Sequence, residues 1–186
     1  MTVPVWPDHL LTLAEWENLP DFERYAVEVQ EGILRVSPRP ITTHQRAIYK
    51  LVEALNGQLP VELNALAEVE LLVETTPLTI RIPDVVVIDT SVADEGISRV
   101  DARDAHLVVE VGSPGSARHD RVTKFAEYAE AGIPQYWLVD LDPPVSLAAF
   151  TLADDVYHAV GEYTGEARVD CAGTTLALHL DRLTAR

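Results

Sequence analysis

Blocks of alternating hydrophobic and polar residues predict both helices and strands in the first third of the chain. The segment LLTLAEWENLP has the spacing of a short amphipathic helix that ends at Pro20. YAVEV and ILRVS alternate as two strands around Gln30-Glu31-Gly32, which predicts a hairpin. Apolar residues then recur at helical spacing up to Leu59, in a helix that either Thr42 or Thr43 caps.

The middle of the chain is richer in strand patterns. VELNALAEVELLV and TIRIPDVVVI predict strands, whereas the charged and irregular segment 91–105 predicts a loop. His106 to Val111 is a nearly continuous apolar run, which is typical of a strand covered on both faces. A helix is predicted from about His119 to Ala131, because Gly132 and then Pro134 form a stop signal there.

The last third of the chain predicts strands again. QYWLVD has the composition of a buried strand. After Pro143-Pro144 the segments VSLAAFTL, VYHAVGEY and TLALHL predict a C-terminal antiparallel meander rather than a separate domain. At 186 residues the chain is long enough for a substantial core, so we expect one domain over residues 1–186.

Composition excludes several classes of protein. No apolar run is long enough to cross a bilayer, and the first residues lack a signal-peptide pattern, so we expect a cytoplasmic protein without a membrane partner. The single cysteine, Cys171, excludes an internal disulfide and a cysteine-based zinc site. The six histidines are scattered without ligand spacing, which argues against zinc altogether. The chain also lacks a P-loop, a G-x-S-x-G elbow and an H-E-x-x-H motif.

The net charge of −16 argues against a protein whose whole surface binds nucleic acid. Two stretches without acidic residues, Gly32–Val52 and Val111–His119, soften this objection. Basic residues lie within or directly after these stretches: Arg35, Arg39, Arg46, Lys50, Arg118, Arg121 and Lys124. The two stretches either meet as one basic face or form ordinary solvated helix surfaces, and the sequence favours neither.

Two carboxylates lie within the apolar strands of the segment from Pro83 to Asp140. Asp84 opens IPDVVVID, and Glu110 lies near the end of HLVVEV. Buried acids are unfavourable unless something charged compensates them. Mg²⁺ or Mn²⁺ would compensate both, and could orient a water and neutralise charge during phosphodiester hydrolysis. The backbone carbonyl of Val111 is a further candidate ligand.

A candidate catalytic lysine follows on the next helix. Asp120 and Lys124 are four residues apart, so they share one face of the predicted helix. The glycine-containing connection from Gly112 to His119 allows this face to fold back over the strand ends. We interpret Lys124 as functional and Asp120 as the residue that orients it. The alternative is an exposed pair that stabilises the helix by about 0.3–0.5 kcal/mol.

These motifs resemble the Uma2 family of endonucleases. The resemblance rests on PDVVVID, LVVEV-x-SP and D-x-x-x-K-x-x-E-Y-x-x-x-G-I-P-x-Y-W-L-V-D, with looser agreement in the flanks. The family belongs to the PD-(D/E)xK superfamily. It therefore implies an α/β (α+β) protein with the restriction-endonuclease-like fold: a mixed β-sheet flanked by helices, with an N-terminal helix and hairpin before it.

The resemblance also implies roles for individual residues. It implies metal ligands at Asp84 and Glu110. The superfamily lysine usually stands two residues after the strand glutamate, but that position is Gly112 here, so Lys124 matches the family's lysine instead. Glu28 matches an early acidic position and either faces the metal site or points to solvent. His44 matches another recurring position, as a capping or packing residue or as a substrate contact.

The sequence therefore predicts a Mg²⁺-dependent endonuclease that hydrolyses DNA phosphodiester bonds. We expect a homodimer, because two copies of one site are the simplest way to cut both strands. The family commonly reads EVLSPS where this chain reads EVGSPG, which loosens the strand end without removing a ligand. One alternative is a non-catalytic binding or assembly module that keeps the nuclease fold, which the net charge favours. Another is hydrolysis of a different phosphate ester.

Overall fold

The computed structural model describes residues 7–20, 22, 25–112 and 120–185, and for residues 120 and 121 it describes the backbone alone. The strands are β1 (Tyr25–Gln30), β2 (Ile33–Pro38), β3 (Leu63–Ala67), β4 (Glu70–Thr75), β5 (Leu78–Arg81), β6 (Val85–Asp89), β7 (Arg99–Asp101), β8 (Ala105–Val111), β9 (Gln135–Asp140), β10 (Ser146–Ala153), β11 (Val156–Thr164), β12 (Glu166–Cys171) and β13 (Thr174–His179).

The α-helices are α1 (Leu13–Trp16), α2 (Thr42–Asn56), α3 (Thr90–Ala93), α4 (Phe125–Glu130) and α5 (Asp181–Thr184). A 3₁₀ turn spans Ala102–Asp104, and a π-helical turn over Asp120–Lys124 leads directly into α4. Within the described residues, no helix has the length and apolar character needed to cross a membrane.

The strands form two larger sheets and one hairpin. The six-stranded sheet has the order β11-β10-β9-β8-β6-β3 and is antiparallel except for the parallel pair β8–β9. The five-stranded sheet has the order β2-β1-β5-β4-β7, and β12 pairs with β13. The mixed α+β architecture predicted from the sequence is confirmed.

The six-stranded sheet is covered on both faces. Against one face pack Leu51 and Leu55 of α2, together with the apolar residues of β12, β13 and α5. Against the other face pack Tyr128 and residues of β4 and β7. Val108 and Val109 of β8 belong to these two different clusters. The prediction of a strand buried on both faces is therefore confirmed.

Two predicted strands break and enter different sheets. The segment 61–73 forms β3 and β4, with Glu68 between them at a φ of 52°. The segment 79–88 forms β5 and β6, and Asp84 lies at that break. The backbone N–H of Glu68 donates to the Asp84 carbonyl at 3.3 Å. The chain therefore passes between the two sheets twice, and both of these connections come together at Asp84, in the candidate site.

Several local predictions hold and others are wrong. The hairpin of β1 and β2 is confirmed, with Glu31 and Gly32 both at positive φ. Neither threonine caps α2: Ile41 is the N-cap, without a side-chain hydrogen bond. The predicted loop 91–105 contains α3, β7 and the 3₁₀ turn.

The C-terminal region departs from the prediction in two ways. The helix predicted from residue 119 is a π-helical turn followed by α4, and residue 119 lies outside the described residues. The predicted meander holds for β10 and β11, which extend the six-stranded sheet. β12 was not predicted, and it forms a separate hairpin with β13.

Candidate active site

Six of the seven predicted site residues line one cavity of about 170 Å³: Glu28, His44, Asp84, Glu110, Val111 and Lys124. Antiparallel pairing of Val85 with Val109 places Asp84, which precedes β6, beside Glu110 near the end of β8. The side chain of Asp120 lies outside the described part of the structure. The strand pairing thus explains why the two carboxylates meet although they are 26 positions apart in the chain.

Asp84 and His44 fix the backbone at the end of β8. The N–H of Val111 donates to Asp84 Oδ2 at 2.6 Å. His44, in the first turn of α2, donates from Nε2 to the Val111 carbonyl at 2.9 Å, and the same Nε2 lies 3.4 Å from Asp84 Oδ2. The backbone N–H and the backbone carbonyl of Val111 are therefore both held by residues of the site.

Burial and charge act in opposite directions on His44. Burial alone would lower the pKa of its imidazole, but the hydrogen bond and the charge of Asp84 outweigh burial and raise that pKa. The Nδ1 atom is buried and lacks a hydrogen-bond partner among the described residues. His44 is thus a packed, polar contact of Asp84 and Val111 rather than a helix cap.

Glu110 is compensated by two donors from the helical segment that follows. Its Oε1 accepts hydrogen bonds from Lys124 Nζ at 2.9 Å and from Tyr128 Oη at 2.8 Å. All three residues are buried. Burial, and then the negative charge of Glu110, raise the pKa of the Tyr128 phenol well above its ordinary value. The Tyr128 hydroxyl therefore stays protonated and donates to the carboxylate.

Arg81 links the five-stranded sheet to this helix. Its guanidinium is fully buried and donates from Nε and Nη2 to the two carboxylate oxygens of Glu127, both at 2.7 Å. Nη1 donates to Glu28 Oε2 at 3.1 Å. Burial would lower the pKa of this guanidinium, but the hydrogen bonds and charges of the two glutamates raise it. Arg81 is therefore a permanent cation behind the cavity.

Glu28 points into the site and not to solvent. Its Oε1 accepts from the Ile82 N–H at 2.9 Å and lies 3.5 Å from Lys124 Nζ, while Oε2 accepts from Arg81. Burial alone would raise the pKa of Glu28, but the charges of Lys124 and Arg81 lower it below its ordinary value. The carboxylate is thus held ionised between two cations.

Sequence reasoning missed three members of this network: Arg81, Glu127 and Tyr128. The spacing K-x-x-E-Y places Glu127 and Tyr128 three and four residues after Lys124, where side chains share a helix face. Arg81 closes the short apolar strand LTIR, and a buried arginine needs acidic partners. The sequence contains both of these signals, the K-x-x-E-Y spacing and the arginine in an apolar strand, but neither identifies a partner for Arg81.

The superfamily usually has its lysine at the strand position that Gly112 occupies here. Close packing leaves little room for a side chain at that position. The N–H of Gly112 donates to the Val139 carbonyl at 2.6 Å. A Cβ at residue 112 would lie 3.3 Å from that same oxygen, which is a tight contact. Lys124 instead reaches Glu110 from the π-helical turn. The ammonium group thus reaches the strand glutamate from a different element.

The lysines of the two acid-free stretches and their flanks, Lys50 and Lys124, do not form one basic surface. Lys50 donates to the carbonyls of Arg182 and Ala185 and so caps the C-terminal end of α5. Lys124 is buried against Glu110. Arg118 and the side chain of Arg121 lie outside the described residues. The two lysines therefore serve internal contacts rather than a shared surface.

The residues present fit a hard divalent cation that keeps part of its water shell. The described part of the chain holds no cluster of three or more His, Cys, Asp or Glu side chains suited to a metal. Asp84, Glu110 and the Val111 carbonyl nevertheless line one cavity. Mg²⁺ commonly uses only one or two carboxylates and retains several waters. A carbonyl oxygen has two lone pairs, so the contact from His44 leaves one for a ligand.

The charge balance around the cavity agrees with that fit. Four carboxylates and two basic side chains surround the cavity: Arg81 contacts Glu28 and Glu127, and Lys124 contacts Glu110. Asp84 instead accepts from the backbone N–H of Val111. His44 adds a third positive charge when it is protonated. In either protonation state the cluster remains negative, and a divalent cation would offset the excess.

Comparisons with known proteins agree with the motifs. A search of curated proteins found no match. The chain is similar to a crystal structure titled as a putative nuclease belonging to DUF820 from Anabaena variabilis, with a TM-score of 0.75 and 20% identity over 94% of this chain and 98% of that one. At that identity the likeness shows the fold. A family model described as "Putative restriction endonuclease" matches residues 13–180, and the protein therefore belongs to the Uma2 family.

Proposed function

We propose that this protein is a metal-dependent endonuclease that hydrolyses DNA phosphodiester bonds in the cavity beside Asp84. One observation carries the proposal: a carboxylate directly before β6, a second on the neighbouring strand β8 and a lysine from the following helical segment line the same small cavity. Lys124 Nζ lies 2.9 Å from Glu110. Membership of a family described as restriction endonucleases and the nuclease fold of the structural relative support the reaction class.

Asp84, Glu110 and the Val111 carbonyl are the residues that would hold Mg²⁺ or Mn²⁺. A bound ion would supply Lewis-acid stabilisation of the phosphoryl oxygens and a water of lowered pKa. The chain itself fixes the ligands, since Asp84 accepts from Val111 and His44 orients the Val111 carbonyl. Such fixed contacts reduce the reorganisation needed when the substrate binds.

Lys124 supplies the positive charge of the proposed reaction. It is held by Glu110 at 2.9 Å and by Glu28 at 3.5 Å, so its ammonium stays at the cavity wall. There it stabilises the charge that develops on the phosphoryl oxygens or positions the attacking water. Glu28 acts in this proposal as the residue that positions Lys124, because its Oε1 lies 3.5 Å from Lys124 Nζ and its Oε2 is held by Arg81.

Two parts of the proposal extend beyond the single chain. Duplex or single-stranded DNA is the proposed substrate because the family description names restriction endonucleases. A homodimer is proposed because cleavage of both strands by one small site is most simply achieved by two symmetric copies. Size measurement by light scattering, with and without DNA, tests the second part.

Metal binding tests the assignment directly. Calorimetric titration of Mn²⁺ into the wild type should show binding that Asp84→Asn/Glu110→Gln abolishes. Glu53→Gln on the exposed side of α2 is the matched control and should bind as the wild type does. Lys124→Met should keep metal binding but lose most DNA cleavage, since a charged contact in the transition state typically contributes 10²–10³-fold in rate.

A different outcome would favour the non-catalytic module. Equal Mn²⁺ binding by the wild type and the Asp84→Asn/Glu110→Gln variant would place the metal elsewhere. Metal binding without cleavage of plasmid, linear duplex or single-stranded DNA would contradict the endonuclease assignment while keeping the metal site. The two readouts therefore test the ligands and the reaction separately.

A further inference from the structure

A second and larger cavity, which we call the side groove, opens next to the proposed catalytic cavity. It has a volume of about 560 Å³, within the range of ligand-binding sites, and its walls include Trp16, Phe22, Tyr25, Arg39 and Arg99. The proposed nuclease reaction uses none of these residues. The side groove therefore needs an explanation of its own.

The two cavities are adjacent. Ala26, Pro40, Glu68 and Ile82 line both of them. β1 runs between them as well, since Tyr25 begins this strand in the side groove and Glu28 lies three residues further on in the catalytic cavity. That is about 10 Å of extended backbone. A nucleotide joined to the scissile phosphate would lie within reach of the side groove.

The polar groups of the side groove are organised around one arginine. Arg99 donates from Nε to Glu70 at 3.0 Å and from Nη1 to Glu17 at 3.1 Å. The indole N–H of Trp16 also donates to Glu70, at 3.2 Å. The aromatic ring of Tyr25 remains half exposed at the groove wall. The groove thus presents rings together with oriented carboxylate oxygens.

This lining selects the base of a nucleotide rather than its phosphate. Three glutamates, Glu17, Glu68 and Glu70, line the groove together with two arginines, Arg39 and Arg99, so acidic side chains outnumber basic ones and disfavour a phosphate group. The carboxylate oxygens that do not accept from Arg99 or Trp16 can accept hydrogen bonds from the amino groups on base edges. The exposed ring of Tyr25 can stack on any base, because every base has a π-face. Such contacts require a base that is not paired within a duplex.

We infer that the side groove binds an unpaired base of the nucleotide next to the scissile phosphate, so that single-stranded DNA is the preferred substrate. The inference rests on the proposed nuclease function, because it places the phosphate in the cavity of Asp84 and Lys124. It adds a substrate class and a specificity-determining residue, Tyr25, which the nuclease proposal alone does not supply.

Binding is measured by fluorescence anisotropy, with Ca²⁺ in place of Mg²⁺, on a labelled single strand and on the duplex of the same sequence. The wild type should bind the single strand more tightly. Tyr25→Ala should weaken that binding about tenfold, and Tyr25→Phe should restore it because the ring remains. Tyr49→Ala is the matched control, since Tyr49 is also an exposed tyrosine, on α2, and lines neither cavity.

Equal affinity for duplex and single strand would overturn the inference, and so would equal losses in Tyr25→Ala and Tyr49→Ala. Cleavage assays with Mg²⁺ separate this failure from failure of the proposed function. Duplex cleavage that is independent of Tyr25 overturns the base site but leaves the nuclease. Binding of single strands through Tyr25 without cleavage of any DNA supports the base site and contradicts the nuclease.

Discussion

Arg81 and Arg99 make the same kind of ion-pair network in two different environments. Each arginine bridges two glutamates at hydrogen-bond distances of 2.7 to 3.1 Å. The side chain of Arg81 is 0% exposed, and its partners Glu28 and Glu127 are 17% and 16% exposed. Arg99 is 15% exposed, and its partner Glu17 is 54% exposed. Distances therefore do not distinguish the two networks, but contact with water does.

The difference decides what each network can do. Water and salt screen the pairs of Arg99, so they contribute little to stability. The pairs of Arg81 are shielded, so removal of the cation leaves two carboxylates uncompensated in the interior. Glu28 also lies 3.5 Å from Lys124, and Glu127 lies on the same helix as Tyr128. The Arg81 network therefore couples folding to the geometry of the proposed catalytic cavity.

The largest expected effect is on the Arg81 network. Arg81→Met should lower the free energy of unfolding by about 3–5 kcal/mol, because Glu28 and Glu127 lose their buried partner. Urea denaturation followed by circular dichroism measures this change. A loss below about 1 kcal/mol would mean that water reaches the Arg81 network as freely as it reaches that of Arg99.

An intermediate effect is expected for Tyr128→Phe, which removes a hydrogen bond to the charged Glu110. We expect a loss of about 1.5–3 kcal/mol in the free energy of unfolding, the range for hydrogen bonds to ionised groups. Tyr157→Phe is the matched control, because this buried hydroxyl donates to the neutral carbonyl of Ile133 at 2.8 Å. Its loss should be about 0.5–1.5 kcal/mol. Equal losses would show that the charge of Glu110 adds nothing.

The pH dependence of stability gives a third test. The pKa of Glu28 is lower in the folded protein than its ordinary value of 4.5. Its ionised form therefore stabilises the fold above pH 4.5, and this contribution is lost as the pH falls through the lowered value. Glu28→Gln should flatten the decline of stability below pH 4.5, as measured by urea denaturation at each pH. Glu53→Gln should leave the decline unchanged, and an unchanged decline in Glu28→Gln would contradict the role of Arg81 and Lys124.

The smallest effect is expected for Arg99→Met. The free energy of unfolding should fall by less than about 1 kcal/mol, because the Arg99 pairs reach solvent. Whatever loss occurs should shrink further when the salt concentration rises from 0.05 to about 1 M, where the screening length is about 3 Å. Thermal denaturation at both salt concentrations measures this. A salt-insensitive loss of several kcal/mol would place Arg99 in the same class as Arg81.

The sequence predicted the strands that carry the acids better than it predicted their surroundings. Glu110 was found because it interrupts a continuous apolar run, and the antiparallel register of β6 and β8 then explains its contact with Asp84. Arg81 was missed because its partner Glu127 lies 46 residues away and no local pattern joins them. The roles of Asp84, Glu110 and Lys124, the homodimer and the single domain remain predictions.

Short elements were missed for related reasons. The sequence predicts a loop where β7 lies, because β7 has only three residues and depends on parallel pairing with the distant β4. β12 does carry a local signal, since Ala167, Val169 and Cys171 alternate as buried residues. Because these side chains are small, their alternation is a weak hydrophobic signal in the sequence. Local periodicity therefore identified the long central strands and failed where distant pairing or small side chains decide the structure.

The close packing of Gly112 against Val139 has a consequence for how members of this family are recognised from their sequences. A text pattern that requires a lysine two places after the strand glutamate would pass over this chain, although an ammonium group reaches the glutamate within 2.9 Å. A classification based on distances between functional atoms would group such chains together, whereas a classification based on sequence motifs would separate them.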